Sequence, residues 1–136
     1  MKTTRRFLCL LLALVCVLPM LTVLAYANDA SKSETLRYTG VSSITAGLTI
    51  SSTGCASCSG SASTYTGYSV DLTMKLQRDG ITIKTWSTSG ENFVPLSKSY
   101  YVTSGHYYQV VTSVDVYNSK GSYVATYSCT SSVKSY

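Results

Sequence analysis

Charge is scarce in this sequence: 12% of its 136 residues are Asp, Glu, Lys or Arg. After residue 6 the Lys and Arg residues fall singly, with no basic run and no helical stripe. A nucleic-acid binder needs such a footprint to displace counterions, so nucleic acid is not expected as a partner. Histidine occurs once, as His106. No nucleophile motif of the G-x-S-x-G kind is present, so a serine triad has neither its elbow nor an evident orienting carboxylate. Proline occurs twice, and no stretch after residue 27 carries the 3.6-residue apolar period of an amphipathic helix. No catalytic residue, metal or cofactor is expected.

One apolar run stands out, and it lies at the start. Lys2, Arg5 and Arg6 precede an apolar segment over 7–18, and Ala25-Tyr26-Ala27 offers a small-x-small cleavage site. Pro19 interrupts the run, which favours a cleaved signal over a retained anchor. The expected organisation is a signal peptide over 1–27, a polar leader over 28–36, one domain over 37–130 and a fraying tail over 131–136. Loss of Lys2, Arg5 and Arg6 lowers the formal net charge from +5 to +2. The expected product is secreted and extracellular, a monomer or weak dimer without a stable membrane anchor.

The remaining chain reads as strands. Tyr68, Val70, Leu72, Met74 and Leu76 alternate with polar residues, the period-2 pattern of a half-buried strand. Asp79-Gly80 is a preferred pair for a two-residue hairpin turn, which sets Gln77 opposite Thr82 and Leu76 opposite Ile83. A strand is expected over 41–52, then a loop over 52–64 whose small and polar residues offer no face to bury. A turn or crossover follows over 87–92, then an edge strand around Pro95, since proline cannot donate to a ladder. Short strand 99–103 leads through Ser104-Gly105 to a long strand over 106–117. A hairpin loop at 118–121 then sets Val116 opposite Tyr123, Val114 opposite Ala125, Thr112 opposite Tyr127 and Val110 opposite Cys129. Six or seven strands without a helix define an all-β, antiparallel β-sandwich of immunoglobulin-like size, with a small β-barrel as the alternative.

Cys55, Cys58 and Cys129 remain after signal removal, an odd number in an oxidising compartment. A disulfide from Cys129 to Cys55 or Cys58 is expected, leaving one thiol over. Cys55 and Cys58 lack the helix N-terminus that a reactive C-x-x-C requires, and a zinc site with His106 has one short ligand pair. His106 is expected to be a solvated turn residue. Asp71 and Asp115 lie mid-strand on polar faces and would form a carboxylate pair only if their strands were neighbours. Tyrosine is plentiful, with 12 residues. Tyr101, Tyr107 and Tyr117 are the candidate ligand-binding residues, because a flat ring with a polar tip suits sugars and protein surfaces.

The Ala25-Tyr26-Ala27 signal end, the segment VDLTMKLQRDGITIKTW (70–86) and the segment YYVTSGHYYQVVTSVDVYNSKG (100–121) resemble the small secreted β-sandwich proteins of Gram-positive bacteria. The resemblance implies fold and secretion and no particular activity. The expected function is a non-catalytic binding or interaction module for cell-surface or host polysaccharide, or for another extracellular protein. The alternative is a bacteriocin-like, membrane-active antagonist.

Overall fold

The computed structural model describes residues 38–136; the expected signal peptide and leader lie outside the described residues. Eight strands follow in order: β1 (Val41–Ile50), β2 (Cys55–Thr64), β3 (Tyr68–Arg78), β4 (Ile81–Glu91), β5 (Phe93–Tyr101), β6 (Tyr107–Asn118), β7 (Tyr123–Thr130) and the short β8 (Lys134–Ser135). They form two antiparallel sheets, β1-β2-β5 and β4-β3-β6-β7, with β8 continuing the edge beside β6. In immunoglobulin lettering this is A-B-E facing C′-C-F-G. The architecture is the expected β-sandwich rather than a closed barrel.

The core lies between the sheets. Val70, Leu72, Met74 and Leu76 of β3 and Tyr108, Val110, Val114 and Val116 of β6 are fully buried against Val41, Leu48, Val94 and Leu96 of the facing sheet. Each such side chain contributes about 2 kcal/mol by leaving water. Tyr108 also anchors the β5–β6 connection: its hydroxyl donates to the Thr103 carbonyl at 2.7 Å. Trp86 and Val124 pack partly against this core.

The β3–β4 turn forms as expected, with positive φ at both Asp79 (50°) and Gly80 (82°). Gln77 pairs with Thr82, but a bulge then sets Leu76 opposite Lys84 instead of Ile83. A second bulge at the β6–β7 hairpin sets Tyr117 opposite Tyr123 and Val116 opposite Ala125, so Tyr127 faces Val114 and Cys129 faces Thr112. From Ala125 onward the expected register is displaced by two residues, which keeps those side chains on their expected faces. Tyr123, expected opposite Val116 on the core side, is instead turned to the outer face beside Tyr117.

Two segments depart from expectation. Residues 55–64 are a central strand, not a loop: Ala56, Cys58 and Ala62 are buried while the alternating serines face out. The period-2 pattern is present in residues too small to register as apolar. Gly60 shows why they are small, since a Cβ there would lie 2.6 Å from Thr112 Oγ1 of the opposite sheet. Likewise 87–91 continue β4, and the chain crosses to the other sheet at the single residue Asn92, with φ 63°. The crossing is held by Thr64, whose Oγ1 accepts from Asn92 N at 2.8 Å and whose N donates to Asn92 O at 2.8 Å. Pro95 sits on β5, an outer strand, as its missing donor demands. The tail is ordered rather than frayed: Ser131 is buried, β8 pairs with Tyr107 and Tyr108, and Tyr136 exchanges backbone hydrogen bonds with His106.

Candidate functional site

Because the even-numbered residues of β3 and β6 fill the core, their odd-numbered neighbours face solvent on the outer surface of the larger sheet. Register then assembles them in rows across β4, β3, β6 and β7. One row reads Ser89, Asp71, Asp115, Thr126; the next toward the β6–β7 hairpin reads Glu91, Ser69, Tyr117, Tyr123; the one on the other side reads Ser87, Thr73, Ser113, Ser128. The condition on Asp71 and Asp115 is therefore met, since β3 and β6 are neighbours and the two carboxylates stand directly opposite.

A hydrogen-bonded chain orders this face. Thr126 Oγ1 donates to Asp115 Oδ1, and Tyr123 and Thr126 share a hydroxyl–hydroxyl bond of 2.9 Å. The threonine has one proton, so Tyr123 donates to Thr126 and Thr126 to Asp115. Tyr117 and Tyr123 meet edge to face, with ring centroids 6.1 Å apart. Partial desolvation first, and then the negative charges of Asp71 and Asp115, raise the Tyr117 phenol above its ordinary pKa. Tyr117 thus stays protonated, and able to donate, at neutral pH.

Two shallow depressions follow one another along β3. One, ≈ 480 Å³, is lined by Asp71, Thr73, Ser87, Ser89 and Asp115. The other, ≈ 420 Å³, is lined by Tyr68, Ser69, Glu91, Asn118 and Ser119. Ser69 and Thr73 bracket a stretch of about 13 Å at the rise of an extended strand. The arrangement offers aromatic surface, two acceptors with a net negative charge, and a field of hydroxyls.

The other candidate residues are not brought to this place. Tyr101 and Tyr107 are 76% and 64% exposed, so both are surface residues. They lie at the opposite end from Tyr117, which is ten residues along β6 from Tyr107 and so about 33 Å away. Tyr123, the partner of Tyr117, was missed, because the expected hairpin register set it opposite Val116 and the bulge that turns it outward leaves no local signal. His106 is not simply solvated: its Nδ1 lies 2.6 Å from Asp79 Oδ2, while Asp79 Oδ1 accepts from Tyr107 N at 3.0 Å. These two bonds, the backbone one leading, hold the Asp79 carboxyl below its ordinary pKa.

The expected disulfide is not formed, and Cys55, Cys58 and Cys129 are free. Cys55 and Cys58 lie on the middle strand of one sheet and Cys129 on β7 of the other. β7 is stacked against β1, whereas β2 lies over β3 and β6, so topology keeps the thiols on different stacks. Burial, with a smaller contribution from Cys55, pushes the Cys58 thiol up to about 11. Among the described residues no three or more cysteine, histidine, aspartate or glutamate side chains are grouped to hold a metal ion.

Fold and face together define an immunoglobulin-like sandwich carrying a polar, aromatic sheet surface. Compared with family models, curated proteins and solved structures, the chain finds no match.

Proposed function

We propose that the protein is a secreted, non-catalytic binding module that holds a cell-surface or host polysaccharide on the outer face of its larger sheet. The observation that supports this most is the edge-to-face pair Tyr117–Tyr123 beside the opposed carboxylates Asp71 and Asp115. A sugar chain presents apolar ring faces and hydroxyl edges. Tyrosine rings cover the first, and carboxylate and hydroxyl oxygens accept from the second. The consecutive depressions along β3 suit a polymer lying on the sheet more than a small molecule in a closed pocket.

Glycoside hydrolysis is the second reading, prompted by the same carboxylates. Both known geometries place the carboxyl groups on either side of the scissile bond. Asp71 and Asp115 stand side by side on one open face, which favours holding over cutting.

Mature protein is incubated with cell walls and insoluble polysaccharides and co-sedimented across a salt series. Retention that survives salt, and falls about tenfold in a Tyr117→Ala/Tyr123→Ala variant of unchanged fold, is expected; tenfold corresponds to about 1.4 kcal/mol. Retention lost at moderate salt, or untouched by the double substitution, overturns the reading. Release of dye from anionic vesicles points instead to membrane activity, and release of reducing ends points to hydrolysis.

A further inference from the structure

The far end of the sandwich holds a feature that the polysaccharide face does not use. Between the edges of β4 and β5 lies a crevice of ≈ 210 Å³, walled by Ile83, Tyr100, Tyr101 and Val102, with Tyr108 and Arg78 also lining it. It is smaller than the roughly 300–1,000 Å³ of sites for drug-sized ligands, so it fits one residue-sized group. Among the described residues the one ion pair is His106 with Asp79. Asp79, the acid next to Arg78 in sequence, bonds His106 and Tyr107 and makes no ion pair with Arg78, although the Arg78 charge reaches it. The Arg78 guanidinium keeps an unpaired charge and a planar fork of donors matched to a carboxylate.

We propose that this crevice binds the C-terminal residue of an extracellular peptide, with its carboxylate on Arg78 and its apolar side chain against the tyrosine and isoleucine walls. Charge complementarity selects an anion, and the walls select what the anion is attached to. The inner polar groups are already committed, since Tyr108 Oη donates to Thr103 O and also meets Thr103 Oγ1 at 3.4 Å. A sugar acid would have to desolvate several hydroxyls in a crevice the size of one residue, whereas an apolar side chain loses nothing of that kind. The peptide main chain also has a place to go. β4 is the outer strand of its sheet, and its free row of backbone donors and acceptors starts at Ile81, 72% exposed, beside the crevice.

The test titrates ¹⁵N-labelled protein with N-acetyl-phenylalanine, its C-terminal amide and glucuronate, following the amides of 78–83 and 100–103. The free acid is expected to bind at least tenfold more tightly than the amide and than glucuronate. Arg78→Met should abolish the preference for acid over amide, and Arg78→Lys should reduce it by losing the two-pronged contact. Spectra away from the crevice report that each variant is folded. Equal binding of acid and amide, a preference that survives in Arg78→Met, or glucuronate binding as tightly as the acid overturns the proposal. The Tyr117→Ala/Tyr123→Ala variant should titrate like the parent, so this proposal and the polysaccharide reading stand or fall separately.

Discussion

Thr112 is a hydroxyl placed where the fold wants a methyl. It is fully buried, and its Oγ1 finds no hydrogen-bond partner among the described residues. Burying an unpaired hydroxyl costs about 1–3 kcal/mol, so Thr112→Val should stabilise the protein by about 1 kcal/mol, measured by urea unfolding. Gly60 is the counterpart across the sheets. A Cβ there would meet Thr112 Oγ1 at 2.6 Å and Cγ2 at 3.2 Å. Gly60→Ala should therefore cost about 1–3 kcal/mol through overpacking. Adding Thr112→Ala removes both clashing atoms and should recover part of that loss, giving a favourable coupling in the double-mutant cycle. Additive costs would show that the clash is relieved elsewhere.

Asp79 is the other informative residue. Its folded-state pKa lies below the ordinary value, because Tyr107 N and His106 favour the ionised form. The stability it adds is therefore present above about pH 3.9, its unfolded value, and is lost as pH falls through the lower folded pKa. Asp79→Asn should lower the thermal midpoint at pH 7. The gap between variant and parent should close progressively below about pH 4. A gap independent of pH from 7 to 3 would assign the effect to the turn backbone, not the charge.

At the scale of elements, the strongly alternating segments were legible and the small-residue strand was not. β3 and β6 announce themselves because large apolar residues recur at every second position. β2 alternates just as regularly, but its inward residues are Ala, Cys, Gly and Ala, chosen by the closeness of the facing sheet. The hairpin turns were readable from Asp79-Gly80 and from the loop at 118–121. The bulges beside them were not, since a bulge answers to how the strands twist against their neighbours. The C-terminal segment looked like a fraying tail because Ser131 to Tyr136 has no apolar period. Its order comes from distant partners: Ser131 Oγ accepts from Val110 N at 2.9 Å, and the Tyr136 hydroxyl donates to Ser52 O at 3.2 Å. Removing residues 132–136 takes away the three backbone bonds of Tyr136 with Gly105 and His106, its hydroxyl bond to Ser52 and the Ser131–Ser132 bond. The loss should cost roughly 5 kcal/mol, at about 1 per hydrogen bond, and lower the thermal midpoint. An unchanged midpoint would mean that β8 adds no stability.

For the molecule as a whole, topology decided which chemistries meet. Cysteine count and compartment argued for a disulfide between the ends of the domain, yet the sheets carry the thiols into different stacks. Cys58 then becomes a reporter of global stability. It is fully buried, with a thiol held protonated at neutral pH, while Cys55 and Cys129 are half-buried. Native protein treated with a maleimide should label at Cys55 and Cys129 well before Cys58, whose rate should track global unfolding in urea. Equal rates for all three would place Cys58 in a locally opening segment.

By itself the sequence determined the class of fold, the two strongest hairpins and the outward or inward face of most side chains, because these follow from a two-residue period and local turn chemistry. It also singled out tyrosines as candidate binding residues and Asp71 and Asp115 as isolated acids on polar faces. Only the tertiary structure decided which of them share a surface. Tyr117 joins Tyr123, Asp71 and Asp115 because β3 and β6 are neighbours, while Tyr101 and Tyr107 are carried to the other end. Strand order depends on which sheets bury against each other over long sequence separations, and no local pattern encodes it.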